Sequence, residues 1–185
     1  MPDPIRWLED HREESLRGLE EFLRIPSVST DPRRAGDVRR AAELLAAALR
    51  EAGLPRVEVQ ETEGHPIVYA EDLRGGGPTL LLYGHYDVQP EEPVELWDSA
   101  PFEPAVRDGE LYARGAVDDK GQVWLHVRAL EAWLRSRGRL PCRVKVVVEG
   151  EEEIGGPSLS RFLRENRDWL AADAVLISDS PMLER

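Results

Sequence analysis

Four carboxylates stand within five residues at Glu149, Glu151, Glu152 and Glu153, directly after the run Val-Lys-Val-Val-Val at 144–148. Side chains of one sign crowded at the mouth of a sheet repel one another unless a cation lies among them. A divalent metal resolves that conflict. Asp118 and Asp119 form a second acidic pair, between Arg114-Gly115-Ala116-Val117 and Lys120-Gly121. Tyr83-Gly84-His85-Tyr86-Asp87 offers a neutral imidazole with a carboxylate two residues on, and Ser178-Asp179-Ser180 adds an acid after a third apolar run. Imidazole and carboxylate donors without a thiolate suit catalytic zinc, with cobalt or manganese as substitutes. Each motif is weak alone, because His-x-Asp recurs by chance and a run of Glu is usually a solvated face. Their weight lies in occurring together, each at the end of an apolar strand.

The elements that must position these groups follow from hydrophobic period. Ile5, Leu8, Leu16, Leu19, Phe22 and Leu23 recur at helical steps and predict one helix ended before Pro26. A second helix is predicted with Asp37 as its cap, Val38, Ala41, Leu44, Leu45, Ala48 and Leu49 as its buried stripe, and Gly53 as its stop. Strands are predicted at 57–59, 67–70, 79–83, 110–113, 143–148 and 174–177, the last as a buried one. Helices are predicted at 120–136 and 158–170. Four prolines around Trp97 between Gln89 and Pro104 make that stretch an ordered surface loop. Strands alternating with helices predict an α/β fold with a mostly parallel central sheet flanked by helices. In such folds ligands gather beyond the carboxyl ends of the strands, where His85, Glu149–Glu153 and Asp179 fall.

The 36 acidic against 24 basic residues give a net charge of −12, which opposes affinity for a phosphate backbone or an anionic bilayer, so neither nucleic acid nor membrane is an expected partner. No stretch reads as a leader or as a membrane span, which predicts a cytoplasmic protein. The single cysteine, Cys142, reads as a small core residue. His11, His65 and His126 read as surface or packing residues, His126 within a helix away from the strand ends. Trp97, Trp124, Trp133 and Trp169 read as packing aromatics, and Lys120 as a neutraliser of the acid pair beside it.

The ordered blocks LLLYGHYDVQP, PFEP after Trp97, RDGELYARGAVDDKG, EGEEEIGG and LISDS resemble the metallopeptidases that include carboxypeptidase G, aminoacylase, succinyl-diaminopimelate desuccinylase and the carnosinase-type dipeptidases. GHYDVQP, DDKG and the aspartate of SDS bring the likeness nearest to the carnosinase-type branch. It runs from about residue 5 to the last residue. The resemblance implies that His85, Asp118 and Asp179 hold one zinc and that Asp118 bridges to a second zinc, also held by Glu153. Glu152 then acts as general base, and Asp87 orients the His85 ring. It further implies a cis peptide at Asp118–Asp119. The assignment of Glu152 rather than Glu151 as base rests on the family's register at Ile154-Gly155-Gly156, and spacing alone leaves both open. Ala113 departs from the family's usual glycine before Arg-Gly.

The resemblance implies peptide or N-acyl amide hydrolysis, with a dipeptide or N-acyl amino acid as substrate and a homo-oligomer as the full-length form. Relatives are considerably longer, so residues 1–185 read as the N-terminal portion of the catalytic domain, without the lid or dimerisation domain and the final catalytic segment. That segment supplies a histidine to the second zinc, and none follows Asp179 here. The expectation is a chain that alone is weakly active or inactive and that exposes an apolar sheet edge. A different class of reading makes it a non-catalytic metal-binding or assembly piece completed by another chain.

Overall fold

The computed structural model of the protein describes residues 3–181. Asp3 accepts the Ile5 N–H at 3.1 Å and Pro4 follows it, so the chain enters α1 (Pro4–Asp10) through a capped turn. The single helix expected over 5–23 is two. His11 leaves helical geometry with its ring stacked 4.0 Å from Trp7 and its Nδ1 at 2.8 Å from the Trp7 carbonyl, and α2 (Arg12–Leu23) begins after it. The imidazole shares that carbonyl with the His11 N–H, which donates to it at 3.0 Å. A 3₁₀ turn at Pro32–Arg34, capped by Asp31, leads into α3 (Ala35–Ala52). Asp37 is therefore not the cap. It lies in the first turn, where its charge suits the helix dipole, and pairs with Arg40 at 3.1 Å. Gly53 ends α3 in left-handed backbone, φ 102°, as its residue type predicts.

The central sheet contains β1 (Arg56–Gln60), β2 (Ile67–Asp72), β3 (Thr79–His85), β6 (Arg143–Glu149) and β7 (Ala174–Ile177), in the order β1-β2-β6-β3-β7. A separate hairpin joins β4 (Ala105–Arg107) to β5 (Glu110–Tyr112). The α/β class is the expected one, but the sheet is mixed rather than mostly parallel. β1–β2 and β2–β6 are antiparallel, whereas β3–β6 and β3–β7 are parallel. Residues 61–66 between β1 and β2 are too few for the crossover a parallel pair requires, so they close a hairpin. The parallel half sets the carboxyl ends of β3, β6 and β7 side by side.

The remaining helices are α4 (Lys120–Arg137), α5 (Pro157–Glu165) and α6 (Arg167–Leu170). The helix expected over 158–170 is interrupted at Asn166, whose Nδ2 donates to the Phe162 carbonyl at 2.9 Å. One sheet face places Val68, Leu82, Val146 and Val148 against Leu45 and Leu49 of α3 and Val123 and Val127 of α4. The other places Tyr69, Leu81 and Val147 under Phe162 and Leu170. Burial of each such side chain contributes roughly 1.5–3 kcal/mol. Cys142 is only partly buried at the rim of the first cluster.

β7, expected to be buried, lies at the sheet edge, with Val175, Leu176 and Ile177 exposed by 58%, 43% and 58%. β-rich composition reports fit to a pleated surface, not which neighbours a strand receives. The apolar edge anticipated from the sequence is therefore present. Among the described residues, no helix is long and apolar enough to cross a membrane.

Candidate metal centre

Three parallel strand ends converge. His85 is the last residue of β3, its register partner Glu149 the last of β6, and Asp179 stands two residues beyond β7. Close approach at this edge depends on two glycines. A Cβ on Gly84 would lie 2.5 Å from Val123 Cγ2 and 2.6 Å from Asp119 Oδ2, and one on Gly150 would lie 2.3 Å from the Tyr86 hydroxyl. Without side chains there, α4 and the turn after β6 can come up against the strand ends.

The His85 ring is fully buried, with Nε2 turned toward the carboxylates. Nε2 is 3.0 Å from Asp118 Oδ1, 3.8 Å from Asp179 Oδ2 and 3.9 Å from Glu152 Oε2. Among the described residues it has no hydrogen-bond partner of acceptable geometry. Glu153 joins the cluster from the 3₁₀ turn at Glu152–Ile154. His85, Asp118 and Glu153 offer ligand atoms all within 4.8 Å of one another, and so do His85, Glu152 and Asp179. The structure thus brings together His85, Asp118, Glu152, Glu153 and Asp179. A buried imidazole nitrogen facing several carboxylates is the donor set of a divalent cation, so the residues present fit one.

Asp87 is fully buried behind the ring. Its Oδ1 is 3.3 Å from His85 Nδ1, its backbone carbonyl 3.1 Å from the same nitrogen, and its carboxylate accepts the N–H groups of Glu152 at 3.3 Å and Glu153 at 3.1 Å. One side chain therefore ties the imidazole to the glutamate turn. Burial alone would push the His85 imidazole down, but the hydrogen bond and charge of Asp87, with Asp119 and Asp118, hold it up at about 10. Burial raises Glu153, opposed by Gln89, whose N–H and side-chain amide both donate to its carboxylate.

Several neighbours escaped the sequence reading. Asp119 is buried, its Oδ2 accepts the His85 N–H at 3.1 Å, and burial raises it to about 7. The peptide before it is cis, as the resemblance implies. Glu149 is 2% exposed, accepts the Tyr83 hydroxyl at 2.7 Å, and is raised to about 7, chiefly by burial. Glu151 is turned away from the cluster, its carboxylate accepting the N–H groups of His65 and Ser158, both at 2.9 Å. Lys120 is no solvent-side neutraliser. It is fully buried, and its ammonium donates to the carbonyls of Phe22 at 3.0 Å and Ile25 at 2.6 Å, pinning the start of α4 to the end of α2. His126 is not remote from the strand ends either, because its Nε2 lies 2.5 Å from Ser178 Oγ. The signal for Glu149 and Glu151 was their position at the end of β6, and for Asp119 its place beside Asp118 at the start of α4; for His126 and Lys120 the sequence carried none.

Residues 81–185 match the profile of peptidase family M20/M25/M40. The chain belongs to that family. This M20 chain is 35% identical over 178 residues to a cysteinylglycine-S-conjugate dipeptidase of Corynebacterium striatum, a match covering 93% of the chain and 38% of that relative. It is 30% identical over 193 residues to the β-Ala-His dipeptidase of Homo sapiens, covering 95% of the chain and 38% of that protein. Among solved structures, human carnosine dipeptidase 1 superposes with a TM-score of 0.89 at 28% identity, over 100% of this chain and 43% of that one. An M20 metallo-carboxypeptidase from Sulfolobus solfataricus superposes with a TM-score of 0.84 at 36% identity, over 91% of this chain and 38% of that one. The chain therefore spans about two fifths of the length of these relatives.

Proposed function

We propose that residues 1–185 form the N-terminal portion of the catalytic domain of a metal-dependent dipeptidase, and that the cluster at His85 holds two divalent cations bridged by Asp118. His85, Asp118 and Asp179 would hold one, and Asp118 and Glu153 would contribute to the other. Zinc is the expected ion, with cobalt or manganese as substitutes, because the donors are one imidazole and carboxylates without a thiolate. The observation that carries the reading is the buried His85 Nε2, without a hydrogen bond among the described residues and 3.0–3.9 Å from three separate carboxylates. Cations bound there supply Lewis acidity, polarising an amide carbonyl and acidifying water.

The chain's own groups do the rest. Asp87 fixes the ring of His85 and, through the N–H groups of Glu152 and Glu153, the turn that carries the two glutamates. Glu152 takes the proton of the attacking water and returns it to the leaving amine. Its side chain is 39% exposed on the open side of the cluster, whereas Glu151 is occupied by two backbone donors, which supports Glu152 over its neighbour as the base. Dipeptides are the favoured substrates because two relatives matched along more than nine tenths of this chain are named dipeptidases. N-acyl amino acids are the second reading, favoured by 40% identity over 102 residues to a succinyl-diaminopimelate desuccinylase. A net charge of −12 argues against nucleic acid as a partner.

Hydrolysis of Cys-Gly and β-Ala-His by zinc-, cobalt- and manganese-loaded protein tests the proposal. The expected result is turnover, however slow in this chain alone, that a chelator abolishes. Glu152→Gln should lower it by about 10²-fold or more while leaving metal uptake intact. Absence of metal uptake, or turnover that neither a chelator nor Glu152→Gln lowers, would overturn the proposal.

A further inference from the structure

Asp179 is poorly secured by packing. It follows a strand whose apolar residues are largely exposed, yet its Oδ2 reaches to 3.8 Å from His85 Nε2. Polar contacts from α4 hold it instead. Gln122 Nε2 donates to the Val117 carbonyl at 2.6 Å and to the Ser180 carbonyl at 3.1 Å. Val117 immediately precedes Asp118, and Ser180 immediately follows Asp179. A single amide, with its two hydrogens, thus spans the backbones beside both carboxylates. One turn further along the same face, His126 Nε2 and Ser178 Oγ share the 2.5 Å contact on the other side of Asp179. Ser178 and Ser180 turn to α4, and Asp179 between them turns to His85.

We infer that Gln122, assisted by His126 and Ser178, is a positioning residue that sets the separation of Asp118 from Asp179 and hence the geometry of the ligand set they form with His85. The inference rests on the metal reading above. Among the described residues, the hydrogen bonds of Gln122 go to main-chain carbonyls and not to a proposed ligand side chain. It acts through the two main-chain carbonyls, so its removal loosens the spacing of the carboxylates without removing a donor. Groups that orient metal ligands from outside the coordination sphere characteristically contribute 10–100-fold to affinity, about the size expected here.

Cobalt titration of the full chain, followed through visible absorption, tests this. Gln122→Met keeps side-chain length and removes the amide. It should weaken cobalt binding by about tenfold or more and alter the intensity and position of the visible bands, and His126→Phe and Ser178→Ala should shift both in the same direction by less. Leu49→Ala serves as the control for general destabilisation, because Leu49 is a fully buried residue of α3 in the hydrophobic core; it should lower the melting temperature and leave the cobalt spectrum and affinity unchanged. His85→Ala should abolish binding. If the parent protein binds no cobalt, or His85→Ala binds as the parent does, the metal reading fails and this inference falls with it. If His85→Ala loses binding while Gln122→Met matches the parent in affinity and spectrum, the positioning role alone is overturned.

Discussion

Replacing Asp87 by alanine removes a side chain that touches both the imidazole and the glutamate turn. Its carboxylate is fully buried and has three partners: the N–H groups of Glu152 and Glu153 and the Nδ1 of His85, at 3.3, 3.1 and 3.3 Å. Hydrogen bonds to a charged group contribute about 1.5–3 kcal/mol each, so three short, independent ones would sum to several kcal/mol. These three are long and converge on one carboxylate whose own desolvation cost is relieved by the substitution. The expected loss therefore sits near about 3–4 kcal/mol, the size seen when one member of a buried charged pair is deleted. For a chain of this length that corresponds to a fall of roughly 6–16 °C in Tm. Urea denaturation of metal-free protein at pH 7, with the transition followed by circular dichroism, measures it. Asp87→Asn should fall between parent and alanine, because it keeps one acceptor oxygen and turns an NH₂ group toward a donor. An alanine variant within about 1 kcal/mol of the parent would refute the claim that this residue braces the centre.

Three further outcomes are expected. Burial lifts the Glu149 carboxyl from its ordinary 4.5 to about 7, so the unfolded chain releases that proton first; the folded state loses stability as pH rises from about 4.5 to about 7 and no more above it. Glu149→Gln should match the parent near pH 4 and exceed it above pH 7 by at most about 3 kcal/mol in metal-free denaturation, and equal stability at both ends contradicts this. Lys120→Met leaves the carbonyls of Phe22 and Ile25 without their donor and should cost about 2–3 kcal/mol in urea denaturation, an unchanged midpoint counting against the tether. Val175→Lys, on the exposed edge strand, should suppress concentration-dependent self-association in sedimentation velocity, whereas a parent protein monomeric at all concentrations removes the premise.

Most of the residues proposed to hold the cations were legible because His85, Glu152, Glu153 and Asp179 follow the apolar runs of β3, β6 and β7, whereas Asp118 lies in the loop before α4. The runs Thr79–Tyr83 and Arg143–Val148 announced β3 and β6 by composition alone, and the stripe Val38–Leu49 announced α3 with its glycine stop. Strand order was not legible, since β6 enters between β2 and β3 from residues far along the chain, and that insertion decides which pairs are antiparallel. The exposure of β7 was missed for the same reason: an edge strand and an interior one share a composition and differ in their neighbours. The contact of His126 with Ser178 joins residues 52 positions apart, and Gln122 reaches 58 positions to Ser180. Neither bond leaves a periodic trace. Lys120 beside two aspartates resembled a charge partner, and only the arrival of α2 above it turned the ammonium toward two carbonyls instead.

Diffraction from zinc-soaked crystals, recorded on both sides of the zinc absorption edge, locates the cations themselves. Two anomalous peaks sharing Asp118 are expected, one also within about 2.0–2.2 Å of His85 and Asp179 and the other of Glu153. No peak at these side chains, or a zinc that leaves Asp118 outside coordinating distance, would contradict the two-cation reading.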